Sequence, residues 1–196
     1  MILLLCLFAF FFGSIPWGYL IGKTKGIDLK KVGSGNIGAT NVMRVVGKKE
    51  ALITLILDIL KGFVPVLIVK ISPYSENLIL IGVVGLLAIL GHCFTPFLKF
   101  KGGKGVATSL GVLLASMPLV GFITVLIWII TVKVSRISSL GALFSFALLP
   151  LNVIILRYPR EFLIFAWLFT IIIYLRHISN IKRLIKGTEP KIGENK

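Results

Sequence analysis

The sequence contains few ionisable side chains, and acidic ones are the rarest. Of 196 residues, seven are Asp or Glu and two are His, and charged residues make up 15% of the chain. A soluble domain carries roughly a quarter charged residues, so a soluble globular protein is excluded. The carboxylates are Asp28, Glu50, Asp58, Glu76, Glu161, Glu189 and Glu194.

Several catalytic patterns are also missing. The residue five positions after His92 is Phe97 and that after His177 is Lys182, so neither histidine belongs to a His-x4-Asp motif. The chain has no Gly-x-Ser-x-Gly elbow and no His-Glu-x-x-His motif. Its two cysteines lie in separate apolar runs without metal-type spacing. These absences disfavour soluble-type acyltransferases, hydrolases and zinc enzymes.

Long uncharged runs are present instead, and 57% of the residues are apolar. A helix that crosses a membrane needs about 20 apolar residues. The runs predict an all-α polytopic membrane protein that forms a single integral membrane domain over residues 1–196, with seven transmembrane helices at Ile2–Ile21, Ala51–Val69, Asn77–Leu98, Val106–Met117, Leu119–Val132, Ile137–Leu156 and Phe162–Leu175. The first run is interpreted as a retained helix, because its basic residues follow the apolar stretch.

The uncharged stretch from Gly105 to Val132 is either one long helix or two helices separated at Pro118. Basic residues concentrate in cytoplasmic loops. If the stretch forms two helices, 18 basic residues lie on the cytoplasmic side and three on the external side. If it forms one helix, 12 lie on the cytoplasmic side and nine on the external side. We therefore predict seven crossings, an external N-terminus and a cytoplasmic C-terminus. The fourth helix would be short, because about 12 residues rise only about 18 Å.

The segment from Gly33 to Gly38 matches the dinucleotide pattern Gly-x-Gly-x-x-Gly, but a membrane helix precedes it where that fold needs a strand. We interpret the segment as a phosphate-binding loop, in which glycines expose backbone N–H groups and an arginine supplies charge. The alternative is a flexible loop at the membrane edge. Its candidate residues are Ser34, Gly35, Asn36, Gly38, Thr40, Asn41 and Arg44.

A second glycine-rich segment opens the fourth predicted helix. It is not a P-loop, because the required upstream glycine and the following Ser or Thr are absent. Unpaired N–H groups at a helix start and a neighbouring lysine nevertheless favour an anion. The alternative is a glycine turn with lysines that only set topology. The candidate anion-binding residues are Gly102, Gly103, Lys104 and Gly105.

His177 and Asn180 follow the last apolar run at i, i+3 spacing, which predicts one face of a single helix. A histidine transfers protons near neutral pH and an amide orients substrate, although both side chains can equally be structural. Asp58 and Lys61 have the same spacing within the second helix, where we expect a structural ion pair and keep a functional role as the alternative. We expect His92, at a helix end, to be structural.

The predicted topology places all three polar motifs on the cytoplasmic side, where they can form one site. The net charge of +15 does not indicate nucleic-acid binding, because the basic residues flank helix ends.

Together these motifs resemble the bacterial membrane acyl-phosphate:glycerol-3-phosphate acyltransferases of the PlsY type. The resemblance covers essentially the whole chain and lies in residues 33–44 (GSGNIGATNVMR), 58–62 (DILKG), 91–94 (GHCF), 100–108 (FKGGKGVAT), 176–184 (RHISNIKRL) and 187–189 (GTE). It implies seven membrane helices and transfer of an acyl group from acyl phosphate to glycerol 3-phosphate, which gives 1-acylglycerol 3-phosphate without a metal or acyl carrier. It further implies activity roles for Ser34, Arg44, His177 and Asn180, a glycerol-phosphate site at Gly102–Gly105 and a structural Glu189.

We therefore expect a monomeric, multi-pass enzyme of the bacterial inner membrane whose site faces the cytoplasm. Direct acyl transfer with Ser34 as a hydrogen-bond donor is favoured over a covalent acyl-serine, because no base and orienting acid accompany Ser34 in the sequence. The alternative functions are a transporter of a phosphorylated metabolite and a structural lipid-binding subunit.

Overall fold

The computed structural model describes residues 1–193, so Glu194 and Lys196, which were counted above, lie outside the described residues. The described part of the chain is helical and contains no strand. A 3-10 helix spans Pro96–Leu98, and the α-helices are α1 (Ile2–Ser14), α2 (Trp17–Thr24), α3 (Ala39–Val45), α4 (Lys48–Lys70), α5 (Leu78–Cys93), α6 (Val106–Ser116), α7 (Pro118–Ser135), α8 (Ser138–Ala147), α9 (Leu149–Ile155), α10 (Arg160–Arg176) and α11 (Ile178–Ile185).

The helices confirm an all-α architecture made of long apolar segments. Among residues 1–193, five segments are long and apolar enough to cross a membrane, and the pair α10–α11 is a sixth if its bend is ignored. The short fourth helix is confirmed, because α6 has 11 residues. The predicted break before Pro118 is confirmed as well, since Met117 leaves helical geometry at φ −136° and ψ 75°.

Two predicted helices contain breaks that we did not anticipate. Ile15 is extended (φ −60°, ψ 118°) because Pro16 follows it, and this separates α1 from α2. Lys61 Nζ donates to the Ile15 carbonyl at 2.9 Å. Between α8 and α9, Pro150 has no N–H for the Phe146 carbonyl, which accepts a 2.8 Å bond from Thr170 Oγ1 instead. A side chain from another helix thus stabilises each break.

The short helices α3 and α11 were also not predicted. A bend of 62° at His177 separates α10 from α11. The prediction that both residues lie at the end of the last apolar helix is therefore wrong, because His177 caps α11 at the bend and Asn180 lies within α11, although both line one cavity. Apolar residues in α11 recur at Ile178, Ile181 and Ile185 with basic residues between them, a pattern typical of a helix that lies along an interface and does not continue a membrane span.

Glycines allow the spans to approach closely. A Cβ atom on Gly62 of α4 would overlap the Thr108 carbonyl of α6, and one on Gly111 of α6 would overlap the Ile59 carbonyl of α4. Small residues at such crossings let helix backbones come into contact in membranes. Asp58 of α4 and the start of α6 line the same cavity, and central helix α5 packs against α1, α4, α6 and α10.

Candidate active site

The three polar motifs meet at a cavity of about 280 Å³. Its polar lining consists of Ser34, Asn36, Gly38, Thr40, Asn41, Arg44, Asp58, His92, Lys104, Gly105, Ser138, His177, Asn180, Arg183 and Glu189. Its apolar walls come from α4, α6 and α7 and include Leu55, Ile59, Leu110, Val125, Trp128 and Ile129.

A second, mainly polar cavity of about 280 Å³ adjoins the first. Ser34, Asn36, Lys104 and Arg183 line both cavities. The second cavity is completed by Gly35, Gly102, Leu175, Arg176, Ile178 and Ser179. The structure thus brings together residues that are more than 140 positions apart in the sequence.

The loop before α3 is organised by the side chain of Asn41. Asn41 Oδ1 accepts the Ser34 N–H at 2.8 Å, and Nδ2 donates to the carbonyls of Leu29, Val32 and Asn36 at 3.3, 3.2 and 2.8 Å. Buried Asn41 therefore holds the loop in shape, while Ser34 lines both cavities. Gly33 and Gly35 adopt φ values of 60° and 69°, which are left-handed conformations that favour glycine.

Helix α3 also presents Thr40 and Arg44 to the first, apolar-walled cavity. The Thr40 and Ser138 hydroxyls lie 3.1 Å apart, which joins the loop to the start of α8. Arg44 Nη2 donates to the Pro190 carbonyl at 3.1 Å, whereas its buried Nε makes no hydrogen bond to any residue in the range 1–193. A guanidinium with a spare buried donor is suited to bind an anion.

The Gly102–Gly103 turn is held on both sides by the protein. The N–H groups of Gly102 and Gly103 donate to the Cys93 and His92 carbonyls at 3.1 and 3.0 Å. The Arg176 guanidinium binds the carbonyls of the same two glycines, each at 3.0 Å. The expectation that these two N–H groups bind an anion is wrong, because both already donate to carbonyls at the buried C-terminal end of α5. Gly103, moreover, lines neither cavity.

Lys104 follows this turn and joins a network that ends at Glu189. Its Nζ lies 2.5 Å from Asn180 Oδ1, and Asn180 Nδ2 lies 2.5 Å from Glu189 Oε1. Ser139 Oγ and Arg183 Nε donate to Glu189 at 2.7 and 2.6 Å. Glu189 therefore anchors Asn180, and Asn180 orients the Lys104 ammonium. The predicted structural role of Glu189 agrees with these contacts.

The charges around Lys104 favour an anion. The pKa of Lys104 is lowered from its ordinary value to about 8 by burial, with Glu189 opposing the shift and Arg183, Arg44 and Arg176 adding to it. Burial raises the pKa of Glu189, but hydrogen bonds from Ser139, Asn180 and Arg183 outweigh it and lower the pKa below the ordinary range. Because cations outnumber the carboxylate, a bound phosphate would relieve their repulsion.

His177 lies at the bend after α10 and lines the first cavity. Its Nδ1 is 2.7 Å from the Ile173 carbonyl. A carbonyl oxygen only accepts hydrogen bonds, so Nδ1 carries the proton and Nε2 is the acceptor. Burial, reinforced by the charge of Lys104, lowers the pKa of His177 to about 4. The imidazole is therefore neutral near pH 7.

The ion pair predicted in α4 is present, with Lys61 Nζ 2.9 Å from Asp58 Oδ1. Its two members have different surroundings, however. Lys61 donates to the Ile15 carbonyl at the α1–α2 break, whereas Asp58 lines the first cavity with His92. His92 Nδ1 lies 3.7 Å from Asp58 Oδ1.

Sequence reasoning did not identify Ser138, His92, Arg176 or Arg183 as lining the cavities. The two arginines lie within the third motif and could have been identified from their place beside His177 and Asn180. Ser138 and His92 stand at the ends of apolar runs, where ordinary capping and turn residues occur. No local signal separates them from such residues.

Known proteins are similar to this chain in sequence and in fold over nearly its whole length. The family model described as "Glycerol-3-phosphate acyltransferase" matches residues 3–187. A glycerol-3-phosphate acyltransferase of Sinorhizobium fredii is 45% identical over 193 residues, which cover 97% of this chain and 93% of that protein. One from Aquifex aeolicus is 41% identical over 187 residues, with 95% and 97% covered.

Solved structures agree with the sequence comparisons. A crystal structure of PlsY (YgiH), an integral membrane glycerol 3-phosphate acyltransferase in its glycerol 3-phosphate form, superposes with a TM-score of 0.93 at 42% identity, covering 98% of this chain and 96% of that chain. The lysophosphatidic acid form gives 0.91 at 41% identity, with 98% and 95% covered. The helical architecture, the shared motifs and these matches establish that the chain is an integral membrane protein of the glycerol-3-phosphate acyltransferase family.

Proposed function

We propose that this protein transfers a fatty acyl group from acyl phosphate to glycerol 3-phosphate, which gives 1-acylglycerol 3-phosphate and inorganic phosphate. The observation that carries the proposal is the pair of adjoining cavities, one apolar-walled and one polar, that share Ser34 and Lys104. The glycerol 3-phosphate and lysophosphatidic acid forms of the related PlsY support this substrate and this product.

The linings suggest which substrate occupies which cavity. The first cavity has aliphatic and aromatic walls from α4, α6 and α7, which suit an acyl chain, and Arg44 and Thr40 in its polar lining suit the acyl phosphate group. The second cavity presents Arg176, Arg183 and Ser179, which suit the small polar glycerol phosphate. Lys104 belongs to both linings and would face the two phosphates at the point where the substrates meet.

The chemistry then needs positioning more than a strong base. The primary hydroxyl oxygen of glycerol 3-phosphate attacks the acyl carbonyl carbon, and the bond from that carbon to the phosphate oxygen breaks. Phosphate leaves with the electron pair, while Lys104, Arg44 and the first-turn N–H groups of α6 stabilise the negative charge. Ser34 donates a hydrogen bond in this scheme and forms no covalent bond.

The hydroxyl proton goes to a phosphate oxygen. A phosphate group has its second pKa near 6, whereas the pKa of His177 is about 4, so the phosphate is the stronger base. His177 Nε2 accepts a hydrogen bond from the secondary hydroxyl of glycerol 3-phosphate and thereby orients the attacking primary hydroxyl. Asn180 contributes by holding the Lys104 ammonium in place.

The remaining expectations concern the membrane. We propose seven crossings, with α6 as a short fourth span, an external N-terminus and a cytoplasmic C-terminus. Five segments and one bent pair satisfy the length and apolarity of a span, and α6 is a shorter apolar helix. The charge asymmetry of the loops supports a site that faces the cytoplasm of a bacterial inner membrane. We propose that the enzyme acts as a monomer.

The test combines purified protein, palmitoyl phosphate and glycerol 3-phosphate in detergent and measures lysophosphatidate and released phosphate. Equimolar amounts of both products support the proposal. Flux of glycerol 3-phosphate across proteoliposomes without a covalent product would indicate a transporter. If neither acyl transfer nor flux were detected, the result would favour a structural lipid-binding role.

A second measurement separates direct transfer from an acyl-serine. With radiolabelled palmitoyl phosphate alone, direct transfer predicts no burst of phosphate and no protein-bound label. A stoichiometric burst with label on Ser34, absent in Ser34→Ala, would establish the covalent route.

A further inference from the structure

A buried polar cluster lies beneath the Gly102–Gly103 turn and has no part in the chemistry proposed above. Asp58, Lys61 and His92 are 3%, 1% and 4% exposed. Asp58 Oδ1 lies 2.9 Å from Lys61 Nζ and 3.7 Å from His92 Nδ1. His92 Nδ1 makes no hydrogen bond to another described residue. Charged groups inside a membrane are costly and usually functional, so a cluster of three calls for a physical role.

The His92 end of the cluster contacts the turn directly. The His92 carbonyl accepts the Gly103 N–H at 3.0 Å. The imidazole lies so close that a Cβ atom on Gly103 would overlap its Nε2. His92 thus fixes Gly103 through its backbone and its ring, and the residue after Gly103 is Lys104.

The other end of the cluster is anchored to the helix scaffold. Lys61 Nζ donates to the Ile15 carbonyl at 2.9 Å, which ties α4 to the break between α1 and α2. Asp58 lies one turn earlier on α4 and faces both Lys61 and His92. A continuous series of contacts therefore runs from the α1–α2 break through Lys61, Asp58 and His92 to Gly103.

We propose that Asp58 and His92 are positioning residues, which hold the Gly102–Gly103 turn so that the Lys104 ammonium faces the glycerol 3-phosphate site. This inference rests on the proposed function. Arg176 fixes the outer side of the turn through its carbonyls, and His92 fixes the inner side. A turn held from one side only would let Lys104 move by about 1 Å, a displacement that costs up to about 100-fold in a positioned site.

The first experiment is a double-mutant cycle of His92→Ala, Gly103→Ala and the combination. Each single variant is expected to raise the KM for glycerol 3-phosphate about tenfold, with the KM for palmitoyl phosphate unchanged. In the double variant the alanine at position 103 occupies space vacated by the ring, so its KM is expected to lie below that of Gly103→Ala alone. Singles with wild-type KM, or a double that multiplies the two single effects, would overturn the proposal.

The second experiment tests Asp58 without leaving a buried lysine unpaired. The pair Asp58→Asn and Lys61→Met removes both charges at similar volume, a change that folded proteins often tolerate. We expect the KM for glycerol 3-phosphate to rise severalfold while kcat is retained. A raised KM for palmitoyl phosphate instead would show that Asp58 touches the acyl donor, and this would also overturn the proposal.

Phe146→Leu is the matched control for stability. Phe146 is fully buried in the apolar core and lines neither cavity, so this variant should unfold at a lower temperature with unchanged KM values. If the Asp58 and His92 variants behave in the same way, the cluster only stabilises the fold and the proposal fails. An inactive wild-type protein would refute the proposed function, whereas an active one with unaffected variants would refute the positioning role alone.

Discussion

The two glycine-rich loops that meet at Lys104 use glycine for different physical reasons. In the loop before α3, Gly33 and Gly35 adopt positive φ values of 60° and 69°. In the turn before α6, Gly102 and Gly103 are needed because neighbouring atoms leave no space for a side chain. Backbone conformation favours glycine at both Gly33 and Gly35, and Gly33 also needs clearance from Asn41 Oδ1, whereas clearance alone is the requirement at Gly102 and Gly103.

The difference changes how each loop meets an anion. The loop before α3 is stabilised internally by Asn41 and presents Ser34, Thr40 and Arg44 to the cavities. The turn before α6 uses its glycine N–H groups to attach to α5, and only Lys104 and the start of α6 remain to face a substrate. A glycine-rich basic motif therefore does not by itself indicate that glycine N–H groups bind the phosphate.

The largest expected effect comes from removing the one lysine that the second loop directs into both cavities. Lys104→Met should lower kcat/KM for glycerol 3-phosphate by about 100- to 1,000-fold, as the loss of a preorganised charge does elsewhere. Steady-state kinetics in detergent measure this loss. Lys101→Met, at an exposed lysine that lines neither cavity, is the control. Equal activity of the two variants would exclude Lys104 from the site.

Clearance is tested next by Gly102→Ala. The added Cβ would overlap the His92 carbonyl, and the backbone cannot move away without breaking the Gly102–Cys93 hydrogen bond. We expect a loss of about 1–3 kcal/mol in stability, the usual cost of overpacking, and a raised KM for glycerol 3-phosphate. Thermal unfolding and kinetics on the same preparation provide the readout. Wild-type behaviour would show that the turn has more room than the structure contains.

The internal stabilisation of the first loop is tested by Asn41→Asp. Asparagine donates to three carbonyls at this buried position, and aspartate would face those carbonyls with a charge. We expect a destabilisation of about 2–3 kcal/mol, seen as a lower midpoint of thermal unfolding. Asn36→Asp should be nearly neutral, because Asn36 Oδ1 accepts the Gly38 N–H and aspartate preserves that bond. Similar midpoints for both variants would contradict the organising role of Asn41.

The pH dependence separates the lysine-bearing loop from the arginine-bearing one. The pKa of Lys104 is lowered to about 8, so its charge is present below that pH and is lost above it, whereas arginine stays charged. The KM for glycerol 3-phosphate should be flat between about pH 7 and 7.5 and rise by up to about tenfold per unit above pH 8. In Lys104→Arg the rise should disappear. A rise that persists in that variant would assign the titration to another group.

The smallest expected effect is at a conformational glycine. Gly35→Ala should cost about 1 kcal/mol, because an alanine at φ 69° is strained while the nearest atom to its Cβ, the Lys30 carbonyl, is 3.3 Å away. Gly35→Asn should recover part of this loss, since asparagine tolerates left-handed backbone. At Gly102, asparagine should be no better than alanine. Thermal midpoints that rank the substitutions alike at both positions would remove the distinction between the loops.

The sequence predicted the parts of the fold that depend on local composition. Uncharged runs located the apolar helices, and Pro118 located the break between α6 and α7. The breaks at Pro16 and Pro150 were missed, because their stability depends on Lys61 and Thr170 from other helices. Helix α3 was missed because it is short and overlaps a polar motif whose residues also fit a loop. Helix α11 was missed as a separate element because no local signal marks the bend at His177.

The candidate site was predicted in part for a similar reason. Ser34, Lys104 and His177 were selected from short motifs, and the structure places all three around one cavity. Arg176 and His92 lie within the sequence motifs and Ser138 lies outside them, but the cavity-lining position of each depends on contacts with residues distant in the chain. The prediction that the Gly102 and Gly103 N–H groups donate hydrogen bonds to an anion failed because the sequence does not show where an N–H group points.

By itself the sequence determined that this chain is an all-helical membrane protein with three polar motifs, because apolar run length, proline and basic flanks act locally. Only the tertiary structure decided that Asn180 and Glu189 hold Lys104 in place. It also decided that Arg176 and His92 contact the Gly102–Gly103 turn from two sides, and that Asp58 lines the first cavity. These are contacts between helices, and they depend on how closely glycines let those helices pack.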